Sequence, residues 1–143
     1  MPRIQLAAAI AAILSLTACA TADRAPLMDD VASAAALQSG EWKVETVAGS
    51  DVSADSNATL LFAADGKLSG NASCNRLIAN YVTEGGMLAI SDVGTTRMTC
   101  SAALMEQERR LVELLAGVSG YQIDAAGTLT LTSQSGAVVV ARR

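Results

Sequence analysis

The sequence predicts an α+β domain: a meander of about eight short antiparallel strands with one amphipathic helix laid against it. Three observations carry this expectation. Between residues 41 and 142 apolar and polar side chains alternate in short runs, broken by Asp-Gly, Gly-Gly and Ser-Gly pairs of the kind that turn a hairpin. One segment, residues 101–120, changes to the 3.6-residue period of a helix. Apolar residues make up 51% of the chain but aromatics only 3%, so the core must be built of Val, Leu, Ile and Ala.

The elements follow in order. MPRIQLAAAIAAILSLTAC has the form of a secretory leader: Arg3 at the start, an apolar run from Leu6 to Leu14 too short to span a bilayer, then Leu16-Thr17-Ala18-Cys19. That last group resembles a bacterial lipobox. It implies a leader over residues 1–18, a diacylated Cys19 as the first mature residue, and a hold on the membrane through acyl chains. By the same resemblance to bacterial lipoproteins, in which an Asp at that place favours the inner membrane, Ala20 implies the outer one. Residues 19–39 are small and polar and read as a tether, with a short helix over Asp29–Leu37; the domain proper is expected over residues 40–143.

EWKVETVAG alternates Trp42 and Val44 with Lys43 and Glu45, as a half-buried strand does. ATLLFAADGKLSG reads as a hairpin about Asp65-Gly66, with a type I′ turn. ANYVTEGGMLAIS repeats the device with Gly85-Gly86, and TLTLTSQSGAVVVA with Ser135-Gly136; a further strand, GYQID, precedes the last pair. In the helical segment Ser101 is the expected N-cap and Gly117 or Gly120 the stop. Leu104, Leu111, Leu115 and Val118 form its apolar stripe, with Glu106, Arg109, Arg110 and Glu113 opposite. Glu108 falls in the middle of the stripe. A carboxylate there must be paired, hydrogen-bonded or protonated. The bland reading ties it to an arginine or to backbone amides, and Arg97 and Arg76 are the candidate arginines.

Composition excludes several functions. The chain has no histidine, which removes Ser-His-Asp and Cys-His catalysis and every His-ligated zinc site. A net charge of −4 gives no footprint for nucleic acid. Cys74 and Cys100 remain once Cys19 is taken by lipid. As a nucleophile Cys74 lacks a base, and two cysteines without CxxC spacing make a poor metal site. In an oxidising compartment a Cys74–Cys100 disulfide is the expected outcome. No cofactor and no metal are expected.

Trp42, the Asp65-Gly66 hairpin leading into Gly70, Cys74-Asn75-Arg76, Tyr81, Thr95-Thr96-Arg97-Met98-Thr99-Cys100, Met105-Glu106-Gln107-Glu108, Leu114-Leu115 and Tyr121 together resemble the META (HslJ-like) domain of bacterial envelope lipoproteins. The resemblance covers about residues 40–142. It departs at Ser73, where the family has glycine, and at Ala79 and Thr99. It implies a curved antiparallel sheet or partly open barrel with the helix packed on it, and a place in envelope stress and tolerance of antimicrobial compounds. It carries no catalytic residues. On this view Asn75, Arg76 and Tyr81 mark a motif loop, Arg97 meets Glu108 as a structural polar pair, and the partner is an envelope protein or a small ligand, not nucleic acid. Two other readings stand beside it: a small carboxylate enzyme using Asp92, Glu84 and Glu108, and a peptidase-inhibitor-like module presenting the disulfide-tethered stretch 74–100.

Overall fold

A computed structural model of the chain describes residues 25–143; the expected leader over residues 1–18 and the expected lipidation of Cys19 lie outside the described residues. The elements run α1 (Ala25–Gln38), β1 (Glu41–Val47), β2 (Ser50–Asp51), β3 (Thr59–Phe62), β4 (Lys67–Asn71), β5 (Arg76–Glu84), β6 (Met87–Thr95), α2 (Ala102–Ala116), β7 (Val118–Ile123), β8 (Leu129–Ser133) and β9 (Val138–Arg142). Among the described residues no helix is long and apolar enough to cross a membrane.

The sheet is antiparallel throughout and it closes. Strands β3 to β9 follow one another in space as in sequence, and β1 lies between β3 and β9. Lys43 pairs with Arg142 and Val47 with Val139. Eight strands therefore form a barrel, and β2 extends β1 as a ninth, outlying strand. The expected sheet or partly open barrel is in fact closed, for two physical reasons. The ladder between β1 and β9 slips by one residue between Val44 and Thr46, a bulge that coils the strand. Closure also removes the unpaired edges that an open sheet would expose.

The turns explain the strand lengths. Gly85-Gly86 both have positive φ and join Glu84 to Met87 as a two-residue turn of type I′ character. At Asp65-Gly66 only the glycine has positive φ, so the expected type I′ turn is replaced by a longer one in which Gly66 N–H donates to Ala63 and Ala63 N–H to Lys67. Ala48-Gly49, both at positive φ, close the β1–β2 hairpin without a residue pair that announces it.

Each barrel end carries a helix. The 63–66, 85–86 and 124–127 turns lie at one end, and α1 packs there against β3 and β7. Leu37 of α1 is fully buried, Trp42 donates its indole N–H to the Leu37 carbonyl at 2.8 Å, and Arg143 stacks over the Trp42 ring at 4.1 Å while donating to the Ala36 carbonyl. Leu37, expected in the tether, is therefore part of the core, with Ala36 and Gln38 half-buried beside it. At the opposite end α2 packs against β1, β6 and β9 and buries Glu108, Leu111, Leu114 and Leu115. Ser101 caps α2 by accepting from Leu104 N–H, and Gly117 ends it. The helix is inserted between β6 and β7, whose ladder has a single registered pair, Met87 with Gly120.

Candidate functional site: the Glu108–Asn75 hub

The loop between β4 and β5 folds back over α2. Gly70 makes this possible: its φ is +154°, and a Cβ there would come within 2.0 Å of the Thr59 carbonyl oxygen. Asn71 then accepts from Ser73 N–H at 2.9 Å, and Ala72 N–H donates to the Asn75 carbonyl at 2.8 Å. Ser73 has φ +125°, a conformation that favours glycine, in the position where the family pattern has one. The turn aims the N–H groups of residues 74 and 75 at the helix.

Glu108 receives them. Its Oε2 accepts from Cys74 N at 3.2 Å and Asn75 N at 2.8 Å, and its Oε1 accepts from Asn75 Nδ2 at 2.8 Å. Charge-assisted bonds of this kind are stronger than neutral ones, which compensates the burial of a carboxylate on an apolar stripe. Asn75 continues the network: its Oδ1 accepts from Met98 N at 2.6 Å and from Thr96 Oγ1 at 2.9 Å, and its Nδ2 also reaches the Met98 carbonyl. One asparagine thus ties the β4–β5 loop, the 96–98 segment and α2 together. The Cys74–Cys100 disulfide, with a Cα–Cα distance of 6.0 Å, closes the same junction covalently.

The expected Arg97–Glu108 pair does not form. Arg97 is exposed, and so is Arg76, whose backbone N–H bonds Thr96 Oγ1. The carboxylate is satisfied by main-chain and amide donors, with no neutralising cation required. Tyr81 does not belong to the motif loop either. It lies at the α1 end of the barrel, edge-on to Phe62, donating to the Ala63 carbonyl at 2.6 Å and accepting from Gln38 Nε2. Beside the hub a second clamp had no sequence signal. Gln107 Oε1 accepts from Ser53 N at 2.7 Å, while its Nε2 donates to the hydroxyls of Ser56 and Ser73.

The three acidic candidates are dispersed. Glu84 sits at the β5–β6 turn under α1, Asp92 lies on β6 bonded to Asn80 and Ser91, and Glu108 is buried beneath the 72–75 loop. The tethered stretch 74–100 is chiefly the β5–β6 hairpin and not a free loop. Among the described residues no group of three Cys, Asp or Glu side chains is placed to hold a metal.

A family model, the META domain, matches residues 35–143. The chain belongs to the META domain family. Two solution structures determined by NMR resemble it, each at 26% identity: one of a protein from Burkholderia xenovorans, with TM-score 0.62 over 77% of this chain and 86% of that one, and a second with TM-score 0.61 over 77% and 93%. A crystal structure of a duf4847 family protein from Bacteroides vulgatus shares the fold, with TM-score 0.54 at 15% identity over 73% of this chain and 92% of that one. No curated protein matches. The family match begins before the helix α1 ends, which agrees with Leu37 and Gln38 being joined to the barrel.

Proposed function

We propose that this META domain protein is carried on a bacterial envelope membrane by lipid on Cys19, faces the periplasm from the outer membrane, and acts in envelope stress and antimicrobial tolerance by binding a partner, not by catalysis. The leader pattern ending in Leu16-Thr17-Ala18-Cys19, and Ala20 after it, support the anchor and the membrane. The disulfide suits an oxidising compartment.

The observation that carries the binding reading is the state of Glu108. Both its oxygens are committed to fixed donors of residues 74 and 75. A general acid or base must instead reach a substrate proton. The polar residues around Glu108 and Asn75 are therefore construction, and recognition is left to the outer surface.

Metabolic labelling with palmitate, in cells producing the chain and its Cys19→Ser variant, tests the anchor. Label on the wild type alone, with sedimentation in the outer-membrane fraction, is expected. An unlabelled wild-type chain overturns it. Growth of a deletion strain under heat shock tests the role: Glu84→Gln and Asp92→Asn should complement as well as the wild type, whereas a requirement for either carboxylate would favour the enzyme reading.

A further inference from the structure

Among the described residues seven large apolar side chains are exposed, and three of the four most exposed stand round one turn. Val31 and Val82 are 70% exposed and Met87 67%. In the β5–β6 hairpin Val82 pairs with Ala89 and Glu84 with Met87, so Val82 and Met87 are diagonal neighbours on the outer face. Val31 of α1 lines one hollow with Gly85 and Gly86, which sets the third side chain beside the same turn. The tip, Gly85-Gly86, carries no side chain and can come close to a surface. Single exposed apolar residues need no explanation, but a cluster of them does.

The length of chain before α1 says what can cover the cluster. Only residues 20–24 separate Cys19 from Ala25, where α1 begins. Six Cα steps span at most about 22 Å. Val31 lies six residues further on, about 9 Å along the helix. The opposite end of the barrel lies the length of β5 away, about 27 Å from Arg76 to Glu84. A lipid on Cys19 would therefore bring the α1 end to the bilayer and leave the α2 end facing away.

We propose that the patch of Val31, Val82 and Met87 rests on the membrane that carries the anchor, its side chains set among zwitterionic lipid headgroups with the Gly85-Gly86 turn foremost. The inference rests on the lipidation of Cys19 proposed above. The contact is apolar: Asp30 and Glu84 flank the turn and no Lys or Arg lines the hollow between them, so anionic lipid is repelled. The acyl chains supply the hold, and the patch supplies orientation. The barrel then stands on its α1 end, and the exposed segment 96–99 beside α2 is turned to the periplasm, where a partner can reach it.

The test uses the mature chain purified from membranes, its lipid checked by mass spectrometry, in phosphatidylcholine nanodiscs that include a lipid with a nitroxide near the headgroup. Selective loss of the Val31, Gly85, Gly86 and Met87 amide signals is expected, with those of Arg97 and Glu113 retained. High salt should leave the pattern unchanged, because the contact is apolar. Val31→Ser, Val82→Ser and Met87→Ser together should restore the Gly85 and Gly86 signals in a protein still folded and anchored, and each alone should restore them in part. Loss spread evenly over the barrel, loss centred on residues 96–99, or no recovery in any of these variants overturns the proposal. So does loss seen only with phosphatidylglycerol, or only with two chains per disc, which would give the patch to anionic lipid or to a second copy. A chain without lipid on Cys19 overturns the anchor and the docking together, whereas a lipidated chain with even loss overturns the docking alone.

Discussion

Glu108 and Asn75 are joined twice, the carboxylate's Oε2 accepting the asparagine's backbone N–H and its Oε1 accepting the side-chain Nδ2, both at 2.8 Å. The pair fixes the loop against the helix in both position and orientation. It makes the helix a structural partner of the loop, held by side-chain chemistry as well as by apolar packing.

Removing the carboxylate should therefore be costly. Glu108→Ala leaves the N–H groups of Cys74 and Asn75 and one Asn75 side-chain donor without their acceptor, a loss of about 3 kcal/mol or more. Glu108→Gln keeps one acceptor oxygen and should cost less, about 1–3 kcal/mol. Arg97→Ala, by contrast, should change stability by no more than about 0.5 kcal/mol. Urea denaturation of the three variants checks the order. Equal losses in Glu108→Ala and Arg97→Ala would contradict the hub.

The disulfide closes a loop with a sequence separation of 26. The chain-entropy model assigns it about 3.5 kcal/mol. Cys74→Ser with Cys100→Ser should lower the urea midpoint by the corresponding amount, and the wild type in reductant should approach the double variant. Unreduced mass spectrometry should find no free thiol at either residue.

Two backbone positions should respond in opposite ways. Gly70→Ala sets a Cβ against the Thr59 carbonyl and should cost about 3 kcal/mol or prevent folding. Ser73→Ala loses the hydroxyl contacts to Ser56 and Gln107 while keeping the left-handed conformation; Ser73→Gly loses the same contacts but relieves about 1 kcal/mol of strain. The glycine variant should thus be the more stable of the two by thermal melting. The reverse order would refute the strain argument.

Acid should weaken the fold through α2. Hydrogen bonds from Arg109 and then Arg110 lower the Glu106 pKa from 4.5 to about 2. A pKa depressed in the folded state contributes stability that is whole above the unfolded value, here 4.5, and lost as pH falls toward 2. Glu106→Gln should therefore flatten part of the acid limb of the stability–pH curve in that window. Asp124 has the same sign, its carboxyl lowered chiefly by Thr128 N–H, so some of the limb should persist. High salt should shrink the Glu106 contribution, because both its arginine partners are exposed.

Much of the fold was legible because it is local. Strands announce themselves by alternation, and Ser101 and Gly117 bound the helix. Glu108 was also legible, as the one acid on an apolar stripe. Its partners were not, because backbone N–H groups have no letter in a sequence; an arginine is simply the charge one can see. The closure of the barrel was hidden for a related reason. Val44 and Ala141 are both ordinary strand residues, and nothing local says that strands so far apart in the chain become neighbours. Leu37 lay in an alanine-rich stretch whose composition suits a tether, so its burial depends on Trp42 and Arg143 meeting the helix end.

The meeting of β1 with β9 also sets a timetable. A chain emerging N-terminus first, from a ribosome or across a membrane, presents Glu41–Val47 well before Val138–Arg142. Until β9 has followed, β1 has no partner on that side and the barrel stands open along that edge. Assembly can begin while the strands are still arriving, but the seam between β1 and β9 must wait until all those between them have appeared.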